Sequence, residues 1–377
     1  MKTMRVWAMN RKEAIHIVRD PRSLIMGIAI PMLMLFLFGY ALTLDVNNVP
    51  VVFWDQSGTA DSREFRARFD GSPYFSVIRH IHTYSELERA LDKREALAAL
   101  VIPTDFSRTI HSHRVASVQF IVDGSDSNTA SLAMGYADAI VSSFSLEIQL
   151  KQHLRSGGKK PLVPVDLRSR VWFNADLESR NYIIPGLIAV IMMVIAAQLT
   201  SLTVAREWET GTMEQLISTP VKGKELILGK LIPYFAIGLL DVLVAVLMGE
   251  FVFQVPLRGN VGLLFASASV FLIGALALGM TISIATKNQL LASQLSIVLT
   301  FLPAFLLSGF AYDILNMPKA LQIITHVVPA RYFVTMLKAI YLKGLGLQLL
   351  LLETVLLSFF AFAVVVLANR TFKKQMV

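Results

Sequence analysis

Six stretches of the chain run apolar for about twenty residues each: Leu24–Leu42, Tyr182–Val204, Leu231–Val252, Val261–Ala285, Leu290–Phe310 and Leu347–Leu367. A helix needs roughly 20 apolar residues to cross the hydrocarbon core of a bilayer. The pattern therefore predicts six transmembrane helices, the first within 22–44 and the other five within 182–377. The first run is too long for the apolar core of a cleaved leader, and an extended amphipathic segment precedes it, so it reads as a permanent anchor. In that segment, residues 1–21, Val6, Ile15 and Ile17 alternate with Arg11, Lys12 and Glu13 before Pro21 interrupts it. A basic amphipathic helix beside a span lies in the membrane interface.

Between the first two spans the texture changes. Over 45–181 short apolar runs alternate with polar, helix-periodic ones. "VPVVFWD", "YFSVIRHI", "ALAALVIP" and "SVQFIVD" read as strands. "SREFRARF", "SELERALDKRE" and a long segment from Asn128 to Leu150 read as helices. Ser85 and Glu88 have the spacing of a capping box. Alternating strands and helices predict an α/β domain with a parallel or mixed sheet. "HLRSGGKKPLVP" reads as a loop within it. The fold class expected is an α-helical membrane protein with six transmembrane helices and an inserted α/β extracytoplasmic domain.

Composition agrees: 54% of residues are hydrophobic and 16% charged. Mean hydropathy is +0.58. The net charge of +8 is uneven. Residues 45–181 hold 16 basic and 17 acidic residues, and the remainder 19 and 10. Beside spans, a basic surplus marks orientation rather than a nucleic-acid surface. Lys2, Arg5, Arg11, Lys12, Arg19 and Arg22, then Arg206, Lys222, Lys224 and Lys230, then Lys287, then Arg370, Lys373 and Lys374 fall on one side of a six-span bundle. That side is the cytoplasm, with both termini in it. Lys319, Arg331, Lys338 and Lys343, in 311–345, fall on the other side and oppose the rule. The absence of cysteine excludes disulfides and thiol chemistry.

Between spans two and three stands "VAREWETGTMEQLISTP". Gly211 allows a turn, Thr212 and Gln215 have capping-box spacing, and Glu214 sits in the first turn, where the helix dipole favours an anion. Met213, Leu216 and Ile217 share a face, and Pro220 stops the helix. So short a helix requires a surface to dock on. An interfacial anchor is the plainer explanation of the same pattern.

The segment closely resembles the signature after the second span in permeases of the type-2 ABC exporters, the membrane subunits of ATP-binding-cassette exporters. So do Lys12–Leu42 with its Arg19-Asp20-Pro21 and Phe38-Gly39-Tyr40, Phe301–Pro318, and "VPARYFV" before the last span. "VDGSDSNTA" resembles the members with a large extracytoplasmic domain. The resemblance implies that 211–220 is a coupling helix docking on a separate ATPase, with Glu207, Glu209, Gly211, Thr212, Met213, Glu214, Leu216, Ile217, Thr219 and Pro220 at the contact. It implies that residues 1–21 form a connecting helix on the same subunit, through Lys12, Glu13, Arg19 and Asp20. ATP and Mg would bind the partner and no cofactor this chain. A second permease, a copy or a paralogue, would complete the path, in a bacterial inner membrane. Drug efflux with a membrane-fusion protein is common in that subgroup. Spans two and five would line the path through Met192, Met193, Gln198, Phe301 and Phe305, with Ser308, Gly309 and Phe310 at the outer constriction. The chain carries no G-x-x-x-x-G-K-[ST] loop, and "SGGKKPL" lacks the hydroxyl residue that motif requires.

Polar residues within spans mark function or a paired interface. Asp241 sits mid-span and Glu353 near the start of the last span. Together they would serve an ion-coupled secondary transporter, the competing reading, which has no need of a capped helix between spans. Residues 311–345 read as two short helices dipping into the outer leaflet, bent at Pro329 and Arg331, with Arg331 paired to Asp313 or to backbone carbonyls. His80/His82 and His111/His113 are spaced i, i+2, but no carboxylate pattern completes a metal site.

Overall fold

A computed structural model describes residues 3–20, 25–42, 48–112, 114–155, 172–174 and 178–372. The chain divides into two compact units, Leu44–Ser169 and the remainder, Met1–Thr43 with Arg170–Val377. The loop at 156–164, with its "SGGKKPL", lies outside the described residues, as do Pro21, Arg22 and His113.

The smaller unit is a four-stranded mixed sheet in the order β2-β1-β3-β4. Its strands are β1 (Val49–Asp55), β2 (Phe75–His80), β3 (Ala98–Ile102) and β4 (Gln119–Val122). β1 runs parallel to β2 and β3, and β4 antiparallel to β3. Alternation sets its two cores, because successive side chains leave a strand on opposite faces. Val49, Val51, Phe53, Leu100 and Ile102 meet Phe65, Phe69, Phe106 and Phe144 on one face. Those aromatics come from α3 (Ala60–Asp70), α5 (Phe106–His111) and α6 (Ser127–Arg155). Val52, Ala99 and Val101 meet Leu87 and Ala90 of α4 (Tyr84–Asp92) on the other.

The expected Ser85 cap is displaced by two residues. Thr83 is extended, accepts the Glu86 amide at 3.3 Å, and the Glu86 carboxylate accepts the His82 amide at 3.0 Å. "VDGSDSNTA" is the cap of α6: the Asp126 carboxylate accepts the Asn128 and Thr129 amides. The paired histidines separate. His80 ends β2 while the His82 backbone belongs to the α4 cap, and His111 Nε2 lies 3.0 Å from the Asp61 carboxylate.

The larger unit begins with α1 (Thr3–Arg19) and a π-turn (Ile25–Ala29) leading into α2 (Ile30–Ala41). Then come α7 (Ser179–Glu209), α8 (Thr212–Ser218), α9 (Gly223–Leu247, extended by a π-turn to Val252), α10 (Val261–Thr286) and α11 (Gln289–Leu307). It closes with α12 (Lys319–Ile324), α13 (Pro329–Lys338) and α14 (Leu351–Thr371). Among the described residues, five helices are long and apolar enough to cross a membrane: α7, α9, α10, α11 and the Leu347–Thr371 helix. The expected first span is present as a shorter apolar helix, Gly27–Ala41. The 311–345 region is a bent pair, Lys319–Val327 and Pro329–Lys343, turning through 90°.

α7 is the axis of this unit, with its entire apolar window buried. α10 crosses it with almost no gap. A Cβ on Gly279 would lie 2.1 Å from the Ala197 carbonyl oxygen. Thr200 Oγ1 donates to the Leu276 carbonyl at 2.8 Å, and Ser283 Oγ accepts the Val204 and Ala205 amides. Hydroxyl bonds of this kind satisfy polar groups where helices approach inside a bilayer.

Candidate coupling and translocation site

At the end of α7 the chain reverses through Gly211, whose φ of +71° is left-handed and suits a residue without Cβ. Gly211 is the N-cap of α8, and the Thr212 hydroxyl donates to the Glu207 carbonyl. The Thr212–Gln215 capping box therefore does not form.

The apolar stripe of α8 also differs from expectation. Met213 is fully buried, and Leu216 and Ile217 pack beside it on Val204, Ile227, Met280 and Ile284. The helix docks on its own chain, because a charged loop beside a span lowers its free energy most by burying those three side chains locally. What α8 leaves exposed is polar: Glu214, Gln215 and Ser218, followed by Pro220.

Beneath the hairpin lies a buried ion cluster. Lys230 of α9 is 1% exposed. Its ammonium lies 3.1 Å from a Glu13 oxygen on α1 and 3.1 Å from a Glu207 oxygen on α7. Glu13 also accepts from the Tyr234 hydroxyl at 3.3 Å, and Lys12 donates to Glu207 at 2.9 Å. Two carboxylates and two ammonium groups thus balance in one knot. The approach is possible because a Cβ on Gly229 would meet Met9 Cβ at 2.5 Å. Further out, Asp20 pairs with Arg206 at 3.0 Å, and Arg5 reaches both Glu225 and the Pro220 carbonyl. Arg19 is exposed. Glu209 accepts from the Gln289 amide at 2.8 Å. The sequence flagged Lys12, Glu13 and Glu207, but Lys230 and Tyr234 had no signal: a lysine near a span end looks like an orientation charge until α1 is laid across it.

At the opposite end of α7, α11 finishes in the Ser308-Gly309-Phe310 turn, with Gly309 at φ +79°. Its carbonyl accepts from Tyr182 at 3.1 Å and from Lys338 at 2.8 Å. Phe310 fills the space over Gly186, where a Cβ would approach it to 2.6 Å. Phe301, Phe305 and Phe310 form a ladder with centroid spacings of 5.6 Å. Lys338 and Tyr182 were missed in the sequence, where Lys338 counted only against the charge rule. Gln198 of α7 donates to Ser293 of α11 at 2.5 Å.

Met192 lines a cavity of about 10 Å³ with Asp241, Pro31, Met32 and Leu35. Asp241 is 4% exposed, and its Oδ1 has no hydrogen-bond partner among the described residues. Arg331 is paired through the Gln322 carbonyl at 3.3 Å and His326 at 3.2 Å, and also contacts the Thr325 hydroxyl. The carbonyl partner was expected; Asp313 instead caps its own turn through the Leu315 amide. Glu353 is half-buried in the first turn of α14.

A bundle of long apolar helices with a short helix tucked between two of them marks a multi-pass membrane protein. The chain belongs to the ABC-2 family of transporter proteins, whose family model matches residues 21–369. It is 39% identical to the probable multidrug ABC transporter permease YbhS of Escherichia coli, over 90% of this chain and 89% of that one. It is 30% identical to the probable multidrug ABC transporter permease YbhR of the same organism, over 92% of each. The inner membrane transport permease YhhJ matches at 27% over 71% of this chain and 70% of its own. The chain is thus a permease subunit, and the ATPase is a separate subunit.

Proposed function

We propose that this chain forms half of the path by which a small hydrophobic or amphipathic compound leaves the cytoplasm or inner leaflet of a bacterial inner membrane. A second permease supplies the other half, and the ATPase docks on the α8 hairpin. The observation that carries the reading is the knot of Glu13, Lys230, Glu207 and Lys12, which ties α1 and the base of the hairpin to two apolar helices. A push on the exposed face of α8 has a rigid route into α7 and α9 there. Multidrug export, in the printed names of YbhS and YbhR, supports a drug-like cargo. Arg206, Lys222, Lys224, Lys287 and Arg370 cluster at the hairpin end, which supports placing both termini in the cytoplasm and the α/β unit, with any membrane-fusion partner, outside.

The contact offered to the ATPase is Glu214, Gln215 and Ser218 rather than the buried stripe. Co-purification of the ATPase and its hydrolysis rate test this with Glu214→Arg/Gln215→Arg. Loss of the ATPase from a normally folded permease is the expected result, and unchanged co-purification and activity refute it. Ion-coupled transport through Asp241 and Glu353 is the second reading, favoured by the buried Asp241 oxygen that no described residue pairs with. It requires transport by the permease without ATPase, abolished in Asp241→Asn.

A further inference from the structure

The cavity between α2, α7 and α9 is lined by one methionine from each helix, Met32, Met192 and Met248, and by Asp241. The rest of its wall is aliphatic, so Asp241 is the one side chain there that carries a charge. At about 10 Å³ the cavity has room for a single water-sized guest and none for a drug-sized one. Met192 is buried and Met248 half-buried, whereas Met32 is 37% exposed and leaves one side of the cavity accessible. Among the described residues no ion pair engages Asp241. The helices that bring Met32 and Met248 both depart from α-geometry beside the cavity. One π-turn, Ile25–Ala29, precedes Met32, and Met248 opens the other. Such turns recur at functional sites.

We infer that this cavity binds a soft monovalent metal ion, Cu(I), through the three thioethers, with Asp241 as the counter-charge. An ionised carboxylate in an apolar interior is costly unless a partner neutralises it. Within a span, such a residue marks a functional site whose partner has to be found. Charge sets the valence: one unit of positive charge leaves the site neutral, whereas a divalent ion leaves a net charge among aliphatic side chains. Donor type sets the metal. Thioethers select Cu(I), while hard cations take several oxygen ligands, and this wall offers no side-chain oxygen besides Asp241. The chain has no cysteine, so methionine is its only sulfur donor. Among the described residues no group of three His, Asp or Glu side chains gathers to hold a metal by nitrogen and oxygen. Methionines fill gaps in ordinary cores, and their flexible stems also let three sulfurs converge on one ion. A proton would neutralise Asp241 but makes no use of sulfur, which separates this assignment from the ion-coupled reading. Binding requires no nucleotide, so the inference depends on neither the cargo nor the ATP-driven cycle.

The test is an anaerobic competition for Cu(I) between the detergent-purified permease–ATPase complex, without nucleotide, and the coloured chelator bicinchoninate. X-ray absorption at the copper edge reads the ligands of the retained metal. Wild type is expected to hold a single Cu(I) per permease chain, with sulfur neighbours, and to keep it in excess Na⁺. Met192→Leu/Met248→Leu should release it, since exchange of Met for Leu conserves volume and is tolerated in cores. Each single variant repeats the measurement if the double one is not monodisperse, and should weaken binding and lower the sulfur count. Asp241→Asn should weaken binding about ten- to a hundredfold, the scale for a group that tunes a metal without ligating it. Met134→Leu, at an exposed methionine of the α/β unit, should change nothing. No retention by wild type overturns the inference. Retention unchanged in every cavity variant assigns the metal to methionines elsewhere and overturns it too. Loss in Asp241→Asn with full retention in the methionine variants makes the carboxyl a site for a hard cation or a proton, with the same consequence. So does Zn(II) displacing Cu(I) at equal concentration.

Discussion

Replacing Lys230 by Met leaves two buried carboxylates facing each other across the space the ammonium occupied. Glu13 is 5% exposed and Glu207 7%. Each contact at 3.1 Å is worth roughly 5 kcal/mol at an effective dielectric of 20. Most of that gross attraction only repays the cost of taking the charges out of water, so the intact knot adds little net stability. Removing one partner is different, because desolvation stays while attraction is lost; the cost is typically 3–5 kcal/mol. For a unit of this size that lowers the melting temperature by about 6–15 °C. Thermal unfolding of the detergent-purified permease, followed by tryptophan fluorescence, reads the shift. Lys230→Met/Glu13→Gln removes one unpaired charge and should recover a large part of the loss, with a coupling of about 1–3 kcal/mol. A single variant melting within about 2 °C of wild type would mean that water reaches the knot. Strict additivity in the double variant would mean that Lys230 and Glu13 do not interact, and the rigid route from hairpin to α9 would lose its basis.

Three further outcomes are expected. Gly279→Ala drives a methyl into the Ala197 carbonyl and Thr200 hydroxyl, with backbone rather than a flexible side chain in the way; α7 and α10 must separate at a cost of about 1–3 kcal/mol or more, seen as a lower melting temperature or poor membrane yield. Arg331→Leu leaves the Gln322 carbonyl without its charged donor and should destabilise by about 1–3 kcal/mol, measured as faster proteolysis at 319–331; Asp313→Ala, at the residue Arg331 does not contact, should not do so. In the α/β unit the Asp126 carboxyl is held below its ordinary range by the Thr129 hydroxyl first and by the Thr129 and Asn128 amides. A depressed acid stabilises the fold above its unfolded-state pKa, and that contribution disappears as pH falls through the lowered folded value. Hydrogen exchange of the Asn128 and Thr129 amides should therefore separate wild type from Asp126→Ala at pH 6 and cease to do so well below roughly pH 4; a pH-independent difference contradicts the cap.

Legibility in the sequence followed the range of the forces involved. The five long spans, the strands of the α/β unit and the bend at 328–331 were readable, because hydropathy runs, period-2 alternation and proline act within a few residues. Caps failed by one or two residues at Thr83 and Gly211, where the backbone conformation of a single residue chose the helix start. The stripe of Met213, Leu216 and Ile217 was visible but its target was not: periodicity shows that a face is apolar and says nothing of what covers it. Helix α8 found Ile227, Met280 and Ile284 in its own chain.

The charged residues mark the division most sharply. From the sequence, Glu13, Glu207 and Lys230 are three charges 217 residues apart at their widest; family resemblance placed Glu13 and Glu207 on ATPase-facing segments, and Lys230 read only as an orientation charge. Their pairing depends on Gly229 letting α1 lie against α9, a contact between elements far apart in sequence. Lys338 and Tyr182 converge on the Gly309 carbonyl for the same reason. By itself the sequence determined that the chain carries long apolar helices and that a small sheet domain interrupts them, since these follow from local burial of apolar surface. Only the tertiary structure decided which charges neutralise each other and which face of α8 stays exposed, because each depends on close packing between distant helices.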